Sequence, residues 1–426
     1  MSPLCHSKWD RGKEAGVDAE VIVVGGGIAG CALAARLADA GVAVTVLERE
    51  RVYRDIVRGE ALVPWGFQEA QELGLADVIL GAPGVSVMTR MVPYDDSLSV
   101  EQAQRRSRDL SDVVDGAPGV VGVGHPELRE ALATAAAKAG ATVIRGVRRS
   151  VVQGGTNPTV SYEVDGHPRV ARCRLVVGAD GKKSATRTAL GVRLSTTHAR
   201  VRLTGMLVDD GGAWDRAETA ISVDGRNQFI VIPRADDRLR LYVARGEDDP
   251  VPIQGPSAVG EFLKSFRTPI FPCSDAMADA TPIGPCATFP MNDAWADEPV
   301  VPGVALVGDA AGWSNPVTAQ GLAISLRDAR ILAEALLVGA DWTPRGLACY
   351  ADERRTRMAR LRFASAMTDL LTGFGMPDRA ARRSRMLGLL RRRPDLGAAL
   401  DAVHAGPWAA PSGAYTPDLL TTLALA

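Results

Sequence analysis

The sequence predicts an α/β fold in which parallel strands alternate with helices, an inserted β-sheet domain interrupts them, and further helices close the chain. Three segments carry this expectation: VIVVGGGIAGCALAARLADAGVAVTVLE near the amino terminus, LVVGADGKKSATR in the middle and VALVGDAAGWSNPVTAQGLAISLRDARILAEAL late in the chain. Each opens with a short, wholly apolar run, as a strand buried on both faces of a parallel sheet does, and each passes directly into a glycine-containing turn.

In the first segment Val21–Val24 is the strand, and Gly25, Gly27 and Gly30 form G-x-G-x-x-G directly after it. Glycine at these positions permits a tight turn and lets a pyrophosphate approach the backbone. Residues 31–40 suit a helix, whose free N–H groups and dipole face the phosphates at its amino-terminal end, with Ile28 and Ala29 lying between the glycines. Residues 42–47 read as the second strand, closed by Glu48 where a ribose-binding acid belongs, with Arg49 beside it as a further candidate contact. A carboxylate there accepts ribose hydroxyls and repels a ribose phosphate. The expected ligand is therefore FAD or NAD rather than NADP.

The second segment sets Gly178, Asp180, Gly181, Ser184 and Arg187 after its strand, and the third sets Gly308 and Asp309 before a loop and a long amphipathic helix. With these three motifs in this order and at these separations, the chain resembles the class A flavoprotein monooxygenases, the family of para-hydroxybenzoate hydroxylase, up to about residue 340. The resemblance implies a Rossmann-like FAD-binding domain. It also implies that Asp309 hydrogen-bonds the flavin ribityl chain and that Pro316 packs its loop against the flavin ring. Gln320, Gly321 and Leu322 then open a helix whose amino-terminal partial charge stabilises anionic reduced flavin. By the same resemblance Asp180 is the D-G acid associated with FAD and its pyridine nucleotide, Arg58 in RGEALVPWGFQEAQELGL contacts the flavin, and Arg129 in HPELREALATAAAKAG meets the cofactor phosphates. Two positions depart from the pattern: Gly312 and Trp313 stand where many members have His after G-D-A-A, and His125 begins a helix where many have Arg. Trp313 is a candidate wall of the flavin pocket.

What the resemblance implies for function is an NAD(P)H-dependent monooxygenase. NADH or NADPH reduces FAD, O2 adds to give a flavin C4a-hydroperoxide, and one oxygen atom passes to an electron-rich aromatic ring or an alkene. The flavin carries this chemistry, so no catalytic side chain is assigned. A second complete glycine fingerprint is missing, so the nicotinamide nucleotide is expected to bind transiently. A dehydrogenase or reductase of the geranylgeranyl reductase type shares the fold without inserting oxygen and is the alternative. The W-x-W-x-I-P segment typical of flavin halogenases is absent among the seven Trp residues, and intact cofactor motifs disfavour an inactive binding protein.

The expected FAD-binding domain is discontinuous, covering 19–85, 120–191 and 285–342, after a flexible extension at 1–18. Residues 86–119, rich in Asp, Ser, Gly and Arg, are expected to form a cap or excursion, and residues 141–152 to be strands rejoining the cofactor domain. Residues 192–284 read as a substrate-binding sheet, with QFIVIPRADDRLRLYVAR as a hairpin turning at 235–238. Phe229, Val231 and Tyr242 are its candidate pocket walls. Residues 343–426 read as helical, and their basic stretches as solvated helix faces.

Composition bounds the partners. Of 426 residues 46% are hydrophobic and 23% charged, which is ordinary for a globular chain, and a net charge of −1 argues against a general nucleic-acid or anionic-membrane binder. The six cysteines are scattered without ligand spacing, so no metal is expected and reduced thiols in a cytoplasm fit best. The most apolar stretch, 21–47, is interrupted by Arg36, Asp39 and several glycines, which rules it out as a membrane span. The expected partners are a small organic substrate and O2, and no motif encodes an oligomeric state.

Overall fold

The computed structural model describes residues 18–57, 59–251, 253–372 and 378–425. The expected amino-terminal extension, Asp18 apart, and the candidate Arg58 lie outside the described residues.

A six-stranded sheet runs in the order Val300–Val301, Val304–Leu306, Leu175–Gly178, Val21–Val24, Val44–Glu48, Thr142–Arg145. All neighbours pair in parallel except the first two. The registers Val24 to Gly178 and Gly178 to Leu306 bring the three motif strands side by side with their ends aligned. Parallel strands end at one edge, so three turns far apart in sequence emerge together there.

Side-chain alternation explains the layers. Val21 and Val23 point into the core formed with the helices Ile28–Asp39, His125–Lys138 and Gly321–Val338. Ile22 and Val24 point to the other face, where Val152, Val160, Tyr162 and Val164 cover them from a three-stranded antiparallel sheet. That sheet comprises Arg148–Gln153, Thr159–Val164 and His167–Arg172. Only Thr142–Arg145 of the stretch 141–152 therefore rejoins the parallel sheet. Gly146, with φ of +78°, turns the chain between the two sheets.

An eight-stranded second sheet lies over the carboxy-terminal edge of the first. Its central strands are Val201–Asp209, Arg238–Gly246, Asn227–Arg234 and Glu218–Asp224. The expected hairpin is present, with Arg234 opposite Arg238 and its turn made by Asp236 and Asp237 at positive φ. One face buries Phe229 with Phe262, Phe266 and Phe271 and with Tyr94 and Trp214, in edge-on and tilted contacts. The other face looks onto the motif turns.

Within the stretch 86–119, expected as a cap or excursion, two short strands join the second sheet. Arg90–Val92 pairs in parallel with Glu218–Asp224, and Arg108–Asp109 extends the same sheet as its edge. Val92 and Tyr94 are buried in the aromatic core, and the Tyr94 hydroxyl donates to Glu218 at 2.6 Å. Charged residues mask these short strands: Arg90–Val92 has an apolar run of only two residues, and Arg108–Asp109 has none.

The carboxy-terminal helix Ala348–Thr372 turns Tyr350, Arg354, Arg357, Met358 and Leu361 into the interior. The expectation of a solvated basic face fails for Arg354 and Arg357, which are 1% and 0% exposed. Both pair with Asp328 of the helix Gly321–Val338, and Glu353 supplies the second negative charge by pairing with Arg357. Among the described residues no helix is long and apolar enough to cross a membrane.

Candidate active site

The first turn divides its glycines by task. A Cβ on Gly25 would lie 2.4 Å from the Ala179 carbonyl oxygen, and one on Gly30 would lie 2.1 Å from the Gly25 carbonyl oxygen, so both positions require close backbone approach. Gly25 also sits at φ +112°. Gly27 is different: a Cβ there meets nothing within 4 Å, leaving open space at the amino-terminal end of the helix Ile28–Asp39. No side chain caps that helix, so the N–H groups at Ile28 and Ala29 face this space uncapped.

Glu48 is buried beside the turn. Its Oε2 accepts from the Gly26 N–H at 2.7 Å and from Arg129 Nη2 at 3.3 Å, and its Oε1 accepts from the Glu50 N–H at 2.7 Å. Arg129 also donates to Glu50 at 3.2 Å and stacks 3.9 Å over the Tyr53 ring, while its buried Nε has no partner. The Tyr53 hydroxyl donates to the Gly26 carbonyl at 2.9 Å. Arg49 does not join this group; it is exposed and reaches only Glu50, at 3.7 Å.

The Asp180 carboxylate turns onto its own segment, accepting from Ser184 Oγ at 2.5 Å and from the Thr186 N–H at 3.0 Å. Arg187 bridges this segment to the third motif by donating to the Ala310 carbonyl at 2.9 Å and the Lys182 carbonyl at 2.9 Å. Asp309 sits half-buried in the tight turn Gly308–Ala310, and its carboxylate has no partner among the described residues.

Sequence reasoning missed what holds that turn. Asp328 accepts from the Gly308 N–H at 2.7 Å, and Arg354 donates to the Gly308, Ala311 and Gly312 carbonyls at 3.0 to 3.2 Å as well as to Asp328 at 3.0 Å. Tyr350 adds a bond to the Leu306 carbonyl at 2.6 Å. The only available signal was an acid and two arginines at helical spacing, which reads as a surface.

Past the turn, Asn315 caps Pro316–Thr318 by accepting from the Val317 N–H at 3.1 Å, and its own N–H donates to Asp293 at 2.9 Å. Ala319 adopts φ +54°, a conformation unfavourable for a residue with a Cβ. Gln320 stands at the start of the helix Gly321–Val338, as expected, and its side chain is engaged within the protein. It accepts from Trp65 Nε1 at 2.9 Å and donates to the carbonyls of Thr318 and Val403, the latter at 3.0 Å. Gly321 has open space where a Cβ would project, and Leu322 is buried.

Between this loop and the overlying sheet lies an apolar cavity. Pro316 to Ala319 form one wall; Leu203, Ile221, Ile230, Ile232, Tyr242, Met91 and Phe289 form the roof; Glu60 and Val63, with Val403 and His404, close the sides. Tyr242 is on the wall as expected. Phe229 and Val231 are not: they occupy the aromatic core on the opposite face, and their neighbours Ile230 and Ile232 face the cavity. Trp313 also lies off the cavity wall, donating to Asn292 at 3.4 Å with Lys182 at 5.0 Å from its ring.

Glu60 is fully buried and locked from both sides, accepting from Arg234 at 3.0 Å and from Arg240 at 3.0 and 2.9 Å. Burial pushes its carboxyl up against the opposing pull of these guanidiniums. Burial likewise pushes the Tyr242 hydroxyl well up, with the Glu60 carboxylate adding to it.

An open approach at Gly27, an acid at Asp309 with no partner among the described residues and an apolar chamber roofed by a second sheet together suit an oxidoreductase built around a bound flavin dinucleotide. Residues 18–364 match the family described as FAD binding domain, and the chain belongs to it. It is an FAD-dependent oxidoreductase of the aromatic-hydroxylase type. The chain is 28% identical over 390 residues to a ubiquinone hydroxylase of Rhodospirillum rubrum, covering 86% of this chain and 84% of that protein. It is 26% identical over 325 residues to mouse squalene monooxygenase, covering 75% of this chain but only 55% of that longer protein. The fold is shared with p-nitrophenol 4-monooxygenase of Pseudomonas putida DLL-E4 at a TM-score of 0.76 and 20% identity, over 92% of this chain and 99% of that one.

Proposed function

We propose that this protein uses NADH or NADPH and O2 to insert one oxygen atom into a small, largely apolar organic substrate, hydroxylating an aromatic ring or epoxidising an alkene. The observation that carries this reading is the cavity between the Pro316–Thr318 turn and the roof sheet, where a substrate meets the loop expected against the flavin. The relatives named as ubiquinone hydroxylase and squalene monooxygenase support an apolar substrate with an aromatic or alkene carbon.

FAD, once reduced by the nicotinamide nucleotide, would supply the electrons that activate O2, one atom of which goes to the substrate while the other leaves as water. The chain's residues hold and shield it. The space at Gly27 and the uncapped N–H groups at Ile28 and Ala29 would take the pyrophosphate, Glu48 would take the ribose, and Arg129, whose buried Nε has no partner among the described residues, would contact the same end of the cofactor. Asp309 would accept from the ribityl hydroxyls, the N–H groups at Gly321 and Leu322 would serve the pyrimidine edge, and Pro316 would pack against the ring. Ile230, Ile232 and Leu203 exclude water from the reacting face. The five described cysteines are free thiols, which supports a cytoplasmic site of action.

The decisive experiment is to reduce the purified yellow protein without oxygen, using NADH and NADPH in turn or dithionite, and then mix it with oxygenated buffer. Rapid flavin reoxidation with stoichiometric hydrogen peroxide in the absence of substrate is the expected result. Chemically reduced protein that ignores oxygen would instead assign it to the dehydrogenase or reductase class.

A further inference from the structure

Resting on the monooxygenase reading above, the geometry points to His404 as the group by which the cavity recognises a hydroxyl on an otherwise apolar aromatic substrate. His404 comes from the short helix Ala402–Ala405, in the region the sequence motifs do not reach, and it lines the cavity opposite the roof sheet.

The other polar side chains described on that wall already have their bonds. Glu60 is held by Arg234 and Arg240. Thr219 donates to the Val231 carbonyl at 2.8 Å, and Thr318 shares a hydrogen bond with Ser365 at 3.1 Å. Tyr242 sits in the field of Glu60 and Arg240 and is itself partnered. His404 differs: it is only 7% exposed, and its Nδ1 is buried with no hydrogen-bonding partner among the described residues. A buried polar nitrogen left unpaired is unfavourable, and a ligand that completes its bond removes the penalty.

The placement is fixed from several directions. Gln320 donates to the Val403 carbonyl at 3.0 Å, while its oxygen accepts from Trp65, so the helix carrying His404 is tied to the loop beneath the cavity. Arg108 at the edge of the roof sheet donates to Asp401 at 3.3 Å. Gly406, at φ +96°, reverses the chain against Trp65, where a Cβ would come within 3.1 Å of the indole side chain. An imidazole so constrained is a preorganised partner rather than a mobile one.

Its protonation state suits an uncharged ligand. Burial first, and Arg108 second, lower the imidazole to about 4, so it is neutral at neutral pH and has one nitrogen able to accept a hydrogen bond. No step beyond hydrogen bonding is required: a phenolic O–H donates to the imidazole, which orients the ring and raises its electron density toward oxygen transfer. The substrate class is therefore a neutral hydroxyarene with a single buried hydroxyl.

The test uses the FAD-loaded full-length protein and two probes of similar shape, 1-naphthol and 1-methoxynaphthalene, titrated without oxygen while the flavin absorbance spectrum is followed. A site built to bond a hydroxyl discriminates strongly against an analogue lacking it. Wild type is expected to bind the naphthol at least about tenfold more tightly than the ether. His404→Leu should reduce naphthol affinity to that of the ether while leaving ether affinity and FAD content unchanged, and His404→Gln should restore part of the preference. Equal affinities in wild type, no response to the naphthol, or a preference that survives His404→Leu would overturn the inference. If the leucine variant fails to fold, the wild-type preference and its change in His404→Gln still decide it. Because this titration needs neither reductant nor oxygen, it stands apart from the oxygen-reaction test: unreactive reduced flavin with an intact His404-dependent preference would remove the monooxygenase reading alone.

Discussion

Single residues separate holding the fold from holding the cofactor. Gly25 and Gly30 face backbone atoms, whereas Gly27 faces open space, so side chains at these positions should fail differently. Gly27→Val is expected to give a folded protein with weak FAD retention, and Asp309→Ala the same, read as the ratio of flavin to protein absorbance after gel filtration. Full flavin occupancy in either purified variant would remove that residue from the proposed site. Asp369 offers a pH prediction. It accepts from Asn315, at 3.4 Å, behind the Pro316 turn; although the residue reaches the surface, the protein packed around its carboxyl, with Asp293 adding, pushes it up to about 7. The folded state then binds this proton more tightly than the unfolded chain, whose carboxyl titrates near 3.8. Its stabilising contribution is complete below the unfolded value and is lost as pH rises through about 7. Thermal melts from pH 5 to pH 8 should show this decline, and Asp369→Asn should flatten that component.

At the scale of elements, the hairpin Asn227–Arg234 with Arg238–Gly246 shows how far pattern reading reaches. Its existence was legible from two β-branched runs around a polar turn. Which face meets the cavity was not, because Phe229 to Ile232 is buried and apolar at every position, so alternation carries no polar mark. Choosing Phe229 and Val231 was a one-residue error of phase, and in a strand that reverses the face. The two faces predict opposite phenotypes. Phe229→Ala should cost about 3–5 kcal/mol by emptying the aromatic core, with substrate-stimulated NAD(P)H oxidation kept in the folded fraction. Ile230→Ala should change that stimulation by altering the cavity wall while destabilising less. Urea unfolding and oxidation rates, measured on both variants, separate these outcomes.

Across the whole molecule, the glycine turn, the D-G turn and the G-D turn meet because their strands are parallel neighbours, and the carboxy-terminal helices then fix what they form. Arg354 links three carbonyls of the G-D turn to Asp328, and both side chains are buried. Arg354→Met removes one of the two guanidiniums on Asp328 and the donor to three buried carbonyls of the turn, so we expect a loss of about 3–5 kcal/mol in stability together with weakened FAD retention, seen in melts with and without added FAD. The sequence by itself determined the dinucleotide-binding topology and the flavin class, because backbone turns and parallel strands need particular residues at fixed local spacing. Only the tertiary structure decided the sheet membership of residues 86–119, the inward face of the basic helix, the anchoring role of Gln320 and the arrival of His404 at the cavity. Those depend on which surfaces meet after the chain has folded, and a charged or polar side chain has the same local sequence signature whether water or a buried partner receives it.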